Sequence, residues 1–166
     1  MADKVRLGII GIGNQGSTYA TRIARENWVP EIELTAIADI NPDRIAWAKE
    51  HVGADIAYFD DATAMLDSGL IDACVVSIPH YDHPRYVIEC LKRGIHVMCE
   101  KPAGVYTSQV REMNAEAEKH PDVVFAMMFN QRTNCLYRKM RELVHSGKYG
   151  RVRRANWLIT NWYRSQ

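Results

Sequence analysis

Short apolar runs alternate with stretches of helical periodicity along most of the chain, at intervals suited to βαβ units. Val5 to Ile10 reads as a strand, and the glycine-rich turn after it opens a helical stretch to about Asn27. Ile32 to Ala38 is a second strand, closed by Asp39. Asn41 then caps a helix whose first position is Pro42 and whose stop is Gly53. Ile56 to Phe59 is a short strand, and Asp60 or Asp61 caps a brief helix ending at Gly69. The run IDACVVSI, Ile71 to Ile78, is nearly continuous in β-branched and small apolar residues, as a strand covered on both faces reads. Asp82, His83 and Pro84 start a helix that places Val87, Ile88 and Leu91 on one side, with Gly94 beyond its end. Ile95 to Met98 is the next strand, Thr107 caps a helix to about Lys119, and Val123 to Met128 is a further strand. Leu136, Met140, Leu143 and Val144 fall at i, i+4, i+7 and i+8, an amphipathic helix stopped by Gly147. The final stretch RVRRANWLITNWYR reads as one long strand with no partner after it.

Six strands with intervening helices predict an α/β fold, a doubly wound parallel sheet of the Rossmann type, to which the last strand does not belong. Composition changes this little, with 47% hydrophobic and 25% charged residues as in ordinary globular chains. Charge changes it more. Residues 1–131 carry 12 basic and 19 acidic side chains, whereas residues 132–166 carry 9 basic and 1 acidic. The expected division is therefore a domain over 1–131 and a distinct segment over 132–166. Basic residues near Trp157, Trp162 and Tyr163 suggest a nucleic-acid surface only weakly, because aromatics on a strand pack more readily into a sheet. No nucleic-acid or membrane partner is expected. Cys74, Cys90, Cys99 and Cys135 show no metal-binding spacing, so no metal is expected and the thiols read as reduced structural residues. The apolar run near the start is too short for a signal-peptide core, which points to a cytoplasmic protein.

The stretch GIGNQG places Gly11, Gly13 and Gly16 in G-x-G-x-x-G register between a strand and a helix. The first glycine permits the tight turn, the second lets a pyrophosphate approach the backbone, and the third lets helix and strand pack closely. The helix start then offers free N–H groups and a positive dipole end to phosphate. Asp39 ends the second strand 23 positions after Gly16, where a carboxylate accepts hydrogen bonds from an adenosine ribose and repels a 2′-phosphate. NAD is therefore expected over NADP, with Arg44 as the residue that pulls the other way. In open α/β sheets ligands lie beyond the carboxyl ends of the strands. The loops there supply the remaining candidates: Ile12, Asn14 and Gln15 in the first, Ile40 beside Asp39, Ser77 to His83, Glu100 to Gly104, and Asn130 to Arg132.

Together with these motifs, SIPHYDHP, GIHVMCEKPAG and the FNQR run make the chain resemble the N-terminal half of the Gfo/Idh/MocA oxidoreductases, which include glucose-fructose oxidoreductase and inositol dehydrogenase. The resemblance implies an NAD(P)-binding domain over 1–131. Residues 132–166 would then be the connecting helix and first strand of a truncated second α/β domain that holds substrate and often builds the oligomer. It implies that Lys101 is the catalytic lysine that contacts the reacting hydroxyl of a sugar or cyclitol, and that Pro102 lines the nicotinamide pocket. His83 matches the family histidine of the loop after the fourth strand, and His80 stands where asparagine is common. The cofactor contacts expected are Gly11, Ile12, Gly13, Asn14, Gln15, Gly16, Asp39, Ile40, Ser77, Ile78, Pro79, His80, His83, Glu100, Lys101, Pro102 and Asn130.

These residues imply a parent enzyme, an NAD-dependent dehydrogenase oxidising a secondary hydroxyl of a carbohydrate or polyol. The present chain would bind cofactor without turnover. The alternatives are an NAD-using glycosidase relative and a non-catalytic NAD-binding module; retention of Glu100-Lys101-Pro102 favours the dehydrogenase. An unpaired apolar strand over 152–163 would invite pairing with a second copy, giving a homo-oligomer.

Overall fold

The structure, a computed structural model, describes residues 4–158. It forms two compact units, Met1–Met128 and Phe129–Gln166. The first holds six strands, β1 (Val5–Ile10), β2 (Ile32–Ala38), β3 (Ala57–Phe59), β4 (Ala73–Val76), β5 (His96–Cys99) and β6 (Phe125–Met127). Between them run α1 (Asn14–Ala24), α2 (Pro42–His51), α3 (Ala62–Leu66), α4 (His83–Lys92) and α5 (Thr107–Lys119). All neighbouring strands pair in parallel, in the order β3-β2-β1-β4-β5-β6. The sequence of strands reverses between β1 and β4, which creates a crevice at that point.

Alternation along β1 explains the two-sided core. Leu7 and Ile9 point to one face, where they pack with Ile12, Ala20, Leu34, Ile37 and Ala48 under α1 and α2. Ile10 points to the other, with Met65, Leu66, Val87, Leu91 and Met113 from α3, α4 and α5. On that second face a Cβ at Gly8 would lie 2.9 Å from Ile71 Cδ1 and 3.1 Å from Met65 Cε, so the glycine makes room for α3.

Capping chemistry sets several boundaries as expected. Asn41 accepts from Asp43 N–H at 2.9 Å with Pro42 leading α2, and Asp61 accepts from Thr63 and Ala64 N–H to start α3. Other boundaries differ. Helix α1 stops at Ala24 rather than near Asn27, because Asn27 takes φ of 49°, a left-handed conformation in which a helix cannot continue. Thr107 is the first residue of α5 and not its cap; Tyr106 holds the cap position and no side chain bonds there. The IDACVVSI strand shortens to Ala73–Val76; Asp72 just before it still donates its N–H to Arg6 O at 2.8 Å, and its carboxylate takes a side-chain partner.

That partner is Arg6. Its guanidinium donates to both Asp72 oxygens, at 2.6 and 3.0 Å, while Arg6 N–H donates to Asp72 Oδ2 at 3.0 Å. These bonds hold the Asp72 carboxyl down to about 2 from its ordinary 3.8. The depressed value means that the pair stabilises the fold above pH 4 and loses that contribution as pH falls through 4 to 2. Both side chains are more than 40% exposed, so solvent screening keeps the effect small. Asp72→Asn is expected to melt a few degrees lower at pH 7, with the gap closing by pH 2; a gap that ignores pH would contradict this.

The second unit has a short 3-10 turn, Asn130–Arg132, and then α6 (Cys135–His145), capped by Asn134, which accepts from Leu136 N–H at 3.0 Å. Gly147 follows with φ of +66°. Leu136, Met140, Leu143 and Val144 are all exposed on α6. The long strand expected from RVRRANWLITNWYR is not formed over residues 151–158, where the backbone has no ladder partner among the described residues. Sequence alternation marks which face a residue would take, but a strand needs a second edge to bond. The rest of that expectation, with Trp162 and Tyr163, lies outside the described residues.

Candidate functional site

Helix α1 begins immediately after β1 with no side chain capping it and no acid in its first turn. The first intrahelical bond that closes on Gly13 comes from Ser17 N–H at 2.9 Å, which leaves the N–H groups of Asn14, Gln15 and Gly16 without helical partners. Each glycine ahead of them has a distinct task. Gly11 sits at φ of +92°, and a Cβ there would lie 2.4 Å from the Ser77 carbonyl oxygen, so β1 and the loop after β4 close on each other at this point. A Cβ at Gly16 would stand 1.9 Å from Gly11 O. Gly13 is different: a Cβ there meets nothing within 4 Å, so the space above its backbone is open. Open space over a glycine, beside unpartnered N–H groups and a positive dipole end, fits a phosphate group.

Asp39, at the end of β2, is bound to this loop. Its Oδ2 accepts from Ile12 N–H at 2.7 Å and its Oδ1 from Asn41 N–H at 2.8 Å. Asn41 is the helix cap, as expected, but Asp39 is not idle; it fixes the glycine loop against β2. Each carboxylate oxygen retains a lone pair that can accept from a ligand hydroxyl. Ile40 beside it is 88% exposed, an apolar side chain just beyond the end of β2.

Beyond β4 the loop passes Ser77, Ile78, exposed Pro79 and exposed His80 into a 3-10 turn, His80–Asp82, and then α4. His83 is 0% exposed. Its Nδ1 lies 2.7 Å from Pro102 O and its Nε2 2.9 Å from Ile78 O, so one ring joins the loops after β4 and β5. The ring is wholly buried with both nitrogens facing backbone carbonyls, and a neutral imidazole can donate to one of them. His80 stacks edge-on against it at 5.6 Å and is the histidine that faces solvent.

Beyond β5, Glu100 is only 8% exposed. Its backbone N–H donates to Val76 O at 3.0 Å, which ties the loop to β4. Its side chain accepts from the Tyr19 hydroxyl through Oε1 and from Lys101 N–H through Oε2 at 3.1 Å. Burial first, and the bond to Glu100 second, push the Tyr19 hydroxyl up to about 12. Tyr19 was not anticipated; its one signal in the sequence is its place three residues after Gly16, on the same face of α1. Lys101 and Pro102 are exposed, joined by a cis peptide bond, and Lys101 forms no ion pair among the described residues. Asn130 belongs to the second unit, where its carbonyl accepts from Thr133 Oγ1 at 2.8 Å.

Comparison with known proteins agrees with this geometry. Residues 5–128 match the model of the Gfo/Idh/MocA oxidoreductase family, described as an NAD-binding Rossmann fold. The chain is 32% identical over 147 residues to myo-inositol 2-dehydrogenase of Thermotoga maritima, covering 89% of this chain and 42% of that protein. It is 31% identical to D-glucoside 3-dehydrogenase of Escherichia coli, covering 89% of this chain and 41% of the relative. Among solved structures, scyllo-inositol dehydrogenase of Lactobacillus casei with bound NAD(H) and scyllo-inositol superposes with a TM-score of 0.83 at 28% identity, over 89% of this chain and 43% of that one. The chain thus spans less than half the length of these relatives. The glycine cradle, the acid bound to it and the lysine loop opposite them are the parts of one recognised fold, and the chain belongs to the Gfo/Idh/MocA oxidoreductase family, forming its NAD-binding Rossmann fold over residues 5–128.

Proposed function

We propose that this chain is the cofactor-binding part of an NAD-dependent dehydrogenase that oxidises a secondary hydroxyl of a polyol or sugar. The observation that carries the reading is the unpartnered start of α1 over open Gly13, with Asp39 fixed beside it. NAD supplies, when bound, the acceptor for a hydride. The chain's own residues do the rest. The N–H groups of Asn14, Gln15 and Gly16 hold the pyrophosphate, with Ile12 at its side. Asp39 accepts from ribose hydroxyls, and Ile40 covers the adenine. Ser77, Ile78, Pro79 and His80 form the wall after β4, while Pro102 lines the nicotinamide end.

Lys101 is exposed and forms no ion pair among the described residues, so its side chain is available to a substrate hydroxyl and can assist its proton transfer. Asn130 is proposed as a further cofactor contact. Relatives named as inositol and glucoside dehydrogenases support a polyhydroxylated substrate. The chain by itself is proposed to bind NAD without turnover, as a cytoplasmic protein whose full-length form is a homo-oligomer.

Asp39 also disfavours NADP, because its carboxylate would meet the 2′-phosphate. Calorimetric titration with NAD and NADP tests this. NAD is expected to bind at least tenfold more tightly, about 1.4 kcal/mol, and Asp39→Ala to lose most of that preference as well as some affinity. Equal affinities in the unmutated chain would defeat the assignment.

A further inference from the structure

Glu100 stands out among the acidic residues of the chain. An exposed carboxylate needs no explanation, but one this buried needs partners. Its partners are a phenol and a backbone N–H, both donors to the carboxylate, and no lysine, arginine or histidine pairs with it among the described residues. Its position is equally specific. Asp39 on β2 fixes the adenosine end of the site, so the second mononucleotide half lies across the switch point over β4 and β5, and Glu100 is the first residue after β5.

We infer that Glu100 selects the redox state of the bound dinucleotide, its buried carboxylate favouring the cationic oxidised nicotinamide over the neutral reduced ring, with Tyr19 as the positioning residue that holds it. This rests on the proposed NAD site and deepens it. The oxidised ring carries one positive charge and loses it on accepting hydride. An anion held nearby in a poorly solvated place therefore attracts the form that enters the reaction and not the form that leaves it. Lys101 N–H on the same carboxylate links this charge to the loop that carries the lysine, and Tyr19 links it to the helix whose start holds the pyrophosphate.

The test is titration of the full chain with oxidised NAD, reduced NAD and ADP-ribose, which lacks the ring, at one pH and ionic strength. Glu100→Gln keeps the shape and removes the charge. It is expected to weaken oxidised NAD about tenfold relative to reduced NAD, while ADP-ribose affinity stays the same. Tyr19→Phe removes one bond from the carboxylate and is expected to shift the ratio in the same direction by less. A purely structural role would weaken all three ligands together; that result, or an unchanged ratio in both variants, overturns the inference. Should Glu100→Gln fail to fold by circular dichroism, Tyr19→Phe decides. If the unmutated chain binds none of the three, the NAD site itself is wrong; if it binds them and the ratio does not move, only the role of Glu100 falls.

Discussion

Gly16→Ala is expected to destabilise the fold by about 3 kcal/mol and to abolish dinucleotide binding, because the added methyl has nowhere to go. It would stand 1.9 Å from Gly11 O and 2.9 Å from Gly11 C, both backbone atoms that no rotamer change can move. Relief requires α1 to lift from β1. That would disturb the packing of Ala20 against Ile9 and Leu34, and would pull apart the Asp39 bond to Ile12 N–H at 2.7 Å. Gly13→Ala is the control that separates fold from ligand. Its φ of −71° suits alanine and its Cβ meets nothing, so folding should be unaffected while the methyl occupies the space over the cradle. Urea denaturation and NAD titration of both variants give the contrast. Normal stability in Gly16→Ala would show that α1 is not seated as described, and full NAD affinity in Gly13→Ala would show that phosphate does not sit there.

What could be seen in the sequence was what depends on near neighbours. The glycine spacing, the Asn41 cap, the choice of Asp60 or Asp61 as the next cap and the apolar run of β1 are local chemistry, and the family resemblance rested on such local stretches. Features set by partners far away in sequence were not visible. Tyr19 and Glu100 are 81 positions apart, so nothing in either stretch announces their bond. His83 sits in a polar stretch of sequence, beside Asp82 and near Arg85, yet chain geometry turns the ring inward onto Ile78 and Pro102. The same limit explains the overreach at 151–158. Val152 between arginines and the run into Trp157 and Leu158 suggest a strand, but pattern supplies only one side of a ladder, and the described residues hold no second. Thr107 failed as a cap for a smaller reason: Tyr106 already takes the extended backbone that the position needs, with φ of −114° and ψ of 137°.

His83→Ala should cost about 2–4 kcal/mol and weaken dinucleotide binding at both ends of the lysine loop. Removing a wholly buried ring leaves a cavity at the start of α4 and strips a donor from one of the two carbonyl oxygens that lie 2.7 and 2.9 Å from the ring nitrogens. A neutral imidazole can donate from only one nitrogen, so only one of the two carbonyls accepts from it, and single-atom replacements can tell which. Asparagine and glutamine each carry an amide that can reach one carbonyl but not span both loops. Both variants are therefore expected to recover part of the stability, with less recovery of affinity, because the loops after β4 and β5 would no longer be held to each other. Thermal unfolding and NAD titration of His83→Ala, His83→Asn and His83→Gln read the two quantities separately. If the amide variants restored affinity in full, the ring would be filling space rather than joining the loops. If stability and affinity fell strictly together across the three, His83 would act only through the fold, and the placement of Lys101 would have to be credited to Glu100 alone.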